Sequence, residues 1–295
     1  MAIKLGGGGG SASQVNETID INSAENLITL EDGRVYLKGG VSETDLTTYP
    51  DATTSFAYTG TSFSVANQDS NPSGIAWDGT HFWVVGASNL VHKYNASGVY
   101  QNVNFSVASQ GTSPMDIVWD GAYFWVINNA TSPYKRVSKY SAAGVYQNVF
   151  WEYNAVTTME GEGLAWDGTY FWVVGNSTDT IRKFNAAGVD QGVSYSVAAQ
   201  ETNPKGITFD GTYLWVVGTA SGKAHKYNTS GVYQNESFAV NSQDTSAQGI
   251  VSIGTALWTI GKTTDSAYKY QNQIGVNSVS SGYGLLGQQN YVRIK

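Results

Sequence analysis

What most constrains this chain is a repeat. The segment "GIAWDGTHFWVVG" from Gly74 returns as "DIVWDGAYFWVIN" from Asp116, "GLAWDGTYFWVVG" from Gly163 and "GITFDGTYLWVVG" from Gly206, with a weaker fifth copy, "GIVSIGTALWTIG", from Gly249. The turn glycines Gly79, Gly121, Gly168, Gly211 and Gly254 stand 42, 47, 43 and 43 residues apart. A fixed period of that size marks stacked supersecondary units. It overrides the expectation of about 100–200 residues per domain, which would divide this 295-residue chain in two.

Each copy reads as four strands. Strand a (75–77 in the first copy) and strand b (82–85) flank an Asp-Gly turn, where Gly and, more than most residues, Asp tolerate the positive φ of a tight hairpin. Strand c spans 90–95, and a Ser-Gly or Ala-Gly turn leads to strand d, 98–107. Such a meander is one propeller blade. One blade cannot bury both of its apolar faces, so blades pack side by side until the ring closes. Closure is written into the segment from Phe56, where Tyr58 and Phe63 repeat the strand d spacing of Tyr100 and Phe105. It precedes the first strand a, and the fifth copy lacks a strand d after 267–272. The expected fold is therefore an all-β, five-bladed propeller over residues 55–275, its last blade completed by an N-terminal strand.

Composition agrees. The chain has 34 Gly, 19 Tyr and 9 Trp but only 13% charged residues, which favours strands and turns over helices. All nine Trp keep the repeat register: Trp77, Trp119 and Trp166 on strand a, Trp83, Trp125, Trp172, Trp215 and Trp258 on strand b, and Trp151 at a strand d aromatic position. They are expected to pack between blades. The abcd order and the strand c endings resemble NHL-type propeller repeats over about residues 56–272, which implies fold and says little of function.

The formal charge of −7 comes from scattered acids, and the 16 Lys and Arg are spread along the chain, so a nucleic-acid partner is disfavoured. No cysteine offers disulfide or thiol chemistry. Met1–Leu5 and the glycines after it lack the apolar stretch of about 7–15 residues of a secretory signal. No run approaches the roughly 20 apolar residues of a membrane-spanning helix.

Residues 1–54 stand outside the repeat. Lys4, Leu5 and the run Gly6, Gly7, Gly8, Gly9 and Gly10 are followed by an alternating hairpin around Asp32 and Gly33, and then by a linker broken at Pro50. The glycine run serves as a flexible linker or threads a groove of a partner, since Gly permits close backbone approach. This leader, with "LEDGRVYLKGG" from Leu30, and the closing "NYVRIK" (290–295) resemble tail-fibre-like proteins of marine tailed bacteriophages. The resemblance implies a virion tail protein, otherwise an extracellular one. It would dock to other tail proteins through residues 1–54, with Lys4 to Gly10 as the docking segment, and stand on the particle in several copies or as a homo-oligomer. Residues 276–295 form a C-terminal extension.

Catalytic chemistry is not evident. Asp78, Asp120, Asp167 and Asp210 recur as turn residues. His92 aligns with Ser138, Arg182, His225 and Tyr268, a mixed set that suits a partly solvated position, and His81 lies in a turn. Lys93, Lys139, Lys183, Lys226 and Lys269 recur on strand c, where a Lys stem can cover apolar surface while its ammonium reaches water. No metal-ligand spacing or phosphate loop is present, so neither metal nor cofactor is expected and the chain reads as a binding module rather than an enzyme. A polysaccharide lyase or hydrolase would have only Glu160, Glu162 and Asp244 to draw on.

Binding is better served by positions that vary on a fixed scaffold. Four residues before the strand a aromatic stand Ser73, Met115, Glu162, Lys205 and Gln248, expected on the loops from strand d to strand a at one end of the central channel. Unconstrained loop drift is the plain alternative for so varied a column. Blade 2 also has a longer connection between strands b and c, which would send Tyr134, Lys135 and Arg136 toward the same end. Aromatic rings with Arg or Asn suit a surface glycan or a protein receptor on a host cell. A structural collar or decoration protein without a receptor, and a free lectin-like propeller, are the alternatives.

Overall fold

A computed structural model describes the backbone of residues 2–4, 18–20, 27–29, 35–38, 54–130, 135–153, 159–274 and 291–294. These fall into two compact units, of which Ser55–Asn272 is one and the strands outside it form the other. In the second unit β1 (Ala2–Lys4) pairs antiparallel with β2 (Thr18–Asp20). There β3 (Leu27–Thr29) and β4 (Val35–Lys38) form the anticipated hairpin pair. The C-terminal β25 (Tyr291–Ile294) adds to the free edge of β4, Val292 opposite Leu37, a pairing not foreseen in the sequence. The docking residues Leu5 to Gly10 lie outside the described residues.

The first unit is the five-bladed propeller. Blade 1 is β6 (Pro72–Trp77), β7 (His81–Gly86), β8 (Leu90–Asn95) and β9 (Tyr100–Ser106). Blade 2 is β10 (Pro114–Trp119), β11 (Tyr123–Asn129), β12 (Lys135–Ser141) and β13 (Tyr146–Glu152). Blade 3 is β14 (Gly161–Trp166), β15 (Tyr170–Gly175), β16 (Thr180–Asn185) and β17 (Asp190–Ser196). Blade 4 is β18 (Pro204–Phe209), β19 (Leu214–Gly218), β20 (Lys223–Tyr227) and β21 (Tyr233–Ala239). Blade 5 joins β22 (Ala247–Ile253), β23 (Ala256–Gly261) and β24 (Ser266–Ile274) to β5 (Thr54–Ser64) as its outer strand. The inner strands β6, β10, β14, β18 and β22 each contact the next, and β22 meets β6 to close the ring.

The strand d equivalence of the N-terminal segment holds in detail. Strand d is irregular in pairing where its third residue takes positive φ: Asn102 (54°), Asn148 (55°), Gly192 (68°) and Asn235 (55°). In β5 that place falls to Gly60, at 82°, between Tyr58 and Phe63. Asn and Gly are the residues that enter this region cheaply, so the positive φ is written in all five blades.

Five apolar clusters lie between successive blades, each holding one strand b Trp: Trp83, Trp125, Trp172, Trp215 or Trp258. Strand b is buried on both faces and therefore reads as an unbroken apolar run. Its indole N–H has a fixed partner in four blades. Trp83, Trp125, Trp172 and Trp215 donate from Nε1 to Oδ2 of Asp78, Asp120, Asp167 and Asp210 at 2.7, 2.6, 2.7 and 2.8 Å. The other carboxylate oxygen caps the hairpin, Asp78 Oδ1 accepting from the Thr80 and His81 amides at 2.8 and 2.7 Å. Burial opposes ionisation of Asp78, yet the bonds from Trp83, Thr80 and His81 outweigh it and hold the carboxyl below its ordinary value. Only the turn glycine takes positive φ, Gly79 at 98°. Asp therefore recurs for its carboxylate and not for left-handed backbone, a correction to the sequence argument. The recurrent Lys completes the stack, with Nζ of Lys93, Lys139 and Lys183 5.1 Å from the indole centroid and Lys226 at 5.4 Å. This cation–π contact stabilises the column.

Candidate functional site

Ser73, Met115, Glu162, Lys205 and Gln248 occupy equivalent places, but on strands rather than loops. Each is the second residue of an inner strand. There the pairing with strand b skips a residue, between Pro72 and Gly74, Pro114 and Asp116, Gly161 and Gly163, Pro204 and Gly206, and Ala247 and Gly249. They are five bulge residues around one end of the ring, and a bulge re-aims the side chain it carries. Neighbours engage one another: Ser73 Oγ donates to Pro114 O at 2.7 Å, and Lys205 Nζ lies 3.2 Å from Glu162 Oε2. Glu162 is 5% exposed. Burial pushes its carboxyl up, and Lys205 draws it partly back. Gln248 turns back on the segment that enters its strand, Nε2 bonding Ser246 O at 3.2 Å.

The blade 2 extension reaches the same end. Lys135 Nζ pairs at 3.4 Å with Glu160 Oε1, on the connection that enters β14. Arg136 is committed to the scaffold, its Nη2 on Gln110 Oε1 at 2.7 Å and its Cζ 4.7 Å over the Phe150 ring. Tyr134 lies outside the described residues.

Sequence reasoning missed a buried polar network at this end. Asp69, Glu201 and Asp244 each stand three residues before an inner strand, 3%, 1% and 4% exposed. Their carboxylates cap the turn from strand b to strand c. Glu201 accepts from the Ala220 and Ser221 amides and from Ser221 Oγ at 3.0, 3.0 and 2.7 Å. Asp244 does the same for Thr264, at 2.9 and 2.6 Å. Asp244 is thus a structural acid. Beyond the hydroxyl comes a strand c residue: His225 Nε2 is 3.0 Å from Ser221 Oγ, His92 Nε2 is 3.3 Å from Ser88 Oγ, and Tyr268 donates to Thr264 Oγ1 at 2.9 Å. His92 and His225 are 4% and 5% exposed, not partly solvated as their mixed alignment column suggests. The acid and the hydroxyl supply the polar contact that such burial requires.

Burial pushes both imidazoles below the ordinary 6.5, and Asp69 and Glu201 restore only part of that shift. Nδ1 of each has no partner. The folded state therefore holds them neutral, and the stability they contribute is full above pH 6.5 and falls as pH drops through 6.5 toward the lowered value. His92→Tyr with His225→Tyr, the residue blade 5 uses, should flatten that acid limb, as read from urea midpoints between pH 7.5 and 5.

A second missed residue is Asp116. The same column elsewhere holds Gly74, Gly163, Gly206 and Gly249, where the inner strands approach so closely that a Cβ on Gly206 would meet Gly249, and one on Gly74 would meet Asp116. Asp116 is 1% exposed, with Oδ1 accepting from the Ile117 amide at 2.8 Å and Oδ2 from the Leu164 amide of blade 3 at 2.9 Å. The Ile75 amide of blade 1 is a further donor, and burial raises the carboxyl well above its usual range. Three blades thus converge on one buried acid. Among the described residues no group of three or more His, Asp or Glu is placed to hold a metal ion, and no helix is long and apolar enough to cross a membrane.

The chain is similar to solved propellers. The PQQ-bound aldose sugar dehydrogenase of Streptomyces coelicolor matches at TM-score 0.53 and 11% identity over 76% of this chain and 100% of that one. Myxococcus xanthus glutaminyl cyclase matches at 0.57 and 9% over 77% and 100%. The likeness is one of fold. Two enzymes among such neighbours make the fold compatible with catalysis, so the absence of an enzymatic role does not follow from it. No protein-family model matches the chain, and no curated protein sequence does.

Proposed function

We propose that this chain is a binding module of a bacteriophage virion, a tail or fibre component docked through residues 1–54 whose propeller engages a glycan or protein receptor on the host surface. The observation that carries the binding role is the ring of Ser73, Met115, Glu162, Lys205 and Gln248, five different side chains on five equivalent bulges. A scaffold that repeats its Asp, Trp and Lys in most blades yet carries a different side chain at each of these five bulges supports recognition of a ligand without fivefold symmetry. Each acid that a hydrolase or lyase could draw on already has a partner: Asp244 caps a turn, Glu162 pairs with Lys205 within the ring, and Glu160 pairs with Lys135. The virion setting rests on the leader and the C-terminal ending.

Whole-bacterium binding of the full chain, of a chain lacking residues 1–54 and of Lys135→Ala/Glu160→Ala tests the reading. Those two side chains are partly exposed, at 23% and 49%, and can change without opening the core. The paired substitution should weaken cell binding about 10-fold, the size of a modest interface contact. The shortened chain should keep cell binding and lose co-sedimentation with tail proteins. Cell binding that is absent from the full chain, or untouched by the paired substitution, refutes the placement at the channel end.

A further inference from the structure

At the opposite end of the ring, where the hairpins between strands a and b lie, blades 4 and 5 flank an open cleft of about 380 Å³. It has a sequence cause. The aromatic that ends strand a packs into the apolar cluster between blades in four places, as Trp77, Trp119, Trp166 and Phe209. In blade 5 that residue is Ser252, and the cluster between blades 4 and 5 has no counterpart. Three residues past the start of each hairpin stand His81, Tyr123, Tyr170 and Tyr213, but Ala256 in blade 5. The turn from strand c to strand d is also missing there, because strand d is β5. Two truncated side chains and an absent turn leave the space, and Phe56 and Asn272 border it.

The lining has a definite chemistry. Its charged groups all bond within the protein, with one Lys against two acids: Lys226 Nζ bonds Glu236 Oε2 at 2.8 Å and lies 4.3 Å from the Tyr213 ring centroid. Asp210 accepts from the Thr212 and Tyr213 amides and from Trp215 Nε1 at 2.9, 2.7 and 2.8 Å. Thr212, Ser252 and Thr255 line the same space, the two threonines exposed and the serine partly buried, and none of their hydroxyls bonds another of the described residues. Phe56 and Tyr213 add half-buried aromatic surface. Hydroxyls, each both donor and acceptor, beside aromatic rings and with no cation free for an anion suit a ligand that is itself hydroxylated, partly apolar and uncharged.

We propose that the cleft between blades 4 and 5 is a binding site for a neutral saccharide unit. It is independent of the channel-end reading, and lies at the other end of the propeller. The test titrates the full chain calorimetrically with glucose, galactose, mannose and N-acetylglucosamine, and with N-acetylneuraminic acid as the anionic contrast. At least one neutral sugar should bind, and more tightly than the acid. Ala256→Tyr, which restores the side chain of blades 2–4, should weaken that binding about 10-fold or more. Thr255→Val, an exposed position whose change leaves the core alone, should weaken it severalfold, and Lys135→Ala/Glu160→Ala should leave it unchanged. The inference is overturned if no neutral sugar binds, if the acid binds better, or if Ala256→Tyr and Thr255→Val both bind as the native chain does. Sugar binding lost only in Lys135→Ala/Glu160→Ala also overturns it while leaving the receptor reading intact.

Discussion

Phe63→Ala should destabilise the propeller by about 3–5 kcal/mol, the usual loss for a buried aromatic. Phe63 is 9% exposed and lies 5.1 Å from Phe82, 5.6 Å from Tyr94 and 5.7 Å from Trp258, centroid to centroid. Two of those rings belong to blade 1 and one to blade 5, so this side chain holds the ring's ends together. A Cβ on Gly98, in the turn from strand c to strand d of blade 1, would run into it, as one on Gly144 would run into Phe105. The backbone around Phe63 is clasped to the other end of the chain, Val65 N to Asp265 O at 2.8 Å and Thr59 Oγ1 to Lys269 O at 3.2 Å. Phe105→Ala makes the equivalent deletion between blades 1 and 2, which are consecutive in sequence, and Phe105 is less buried. Its loss should be smaller. Urea midpoints followed by Trp fluorescence decide the matter, and a shift for Phe63→Ala no larger than that for Phe105→Ala would show that closure rests on the inner strands instead.

The fold was legible because its signals repeat. Copies at nearly constant spacing each carry a hairpin turn and an apolar strand, so blade number and strand order follow from counting. Closure was legible because Tyr58 and Phe63 repeat the spacing of Tyr100 and Phe105, and Gly60 sits where Asn102 takes positive φ in blade 1. What the repeat does not encode is where a strand begins. Ser73 reads as loop because it stands before the apolar run that marks strand a, yet the strand begins at Pro72, and Pro is tolerated at the first residue of a strand. Short isolated strands such as β25 escape for a related reason: pairing across more than 250 residues leaves no local trace.

The site was less legible because its chemistry depends on geometry across blades. Trp83 follows Asp78 by five residues in every intact copy, but only the folded hairpin brings Nε1 to the carboxylate. The acids at 69, 201 and 244 lie in segments that look like ordinary polar loops, and their burial arises from the turns they cap. The cleft between blades 4 and 5 could have been found by asking which copy is smallest. Ser252, Ile253 and Ala256 stand where other copies place an aromatic, Asp, and His or Tyr.

Asp116 could have been found as the one acid in a column of glycines, and Asp116→Asn is the substitution that tests what it does. Both of its oxygens accept from backbone N–H groups. A protonated carboxyl keeps an acceptor lone pair on each oxygen, whereas the amide nitrogen of Asn offers only donors. One amide of Ile117 or Leu164 would then face another donor inside the ring, at a cost of about 1–3 kcal/mol for a buried group left unsatisfied. The loss should appear in the urea midpoint at pH 3.5, where the contribution of Asp116 is nearly full, with the slope against denaturant unchanged. The pH dependence of the parent separates this from a simple packing defect. Because burial raises the folded pKa above the ordinary 3.8, the contribution of Asp116 is full below 3.8 and declines as pH rises through the folded value. That limb runs opposite to the one set by His92 and His225, and Asp116→Asn should remove it while leaving the histidine limb in place. An Asp116→Asn chain as stable as the parent at pH 3.5 would mean that the three amides find other acceptors, and that this acid is not what joins blades 1, 2 and 3.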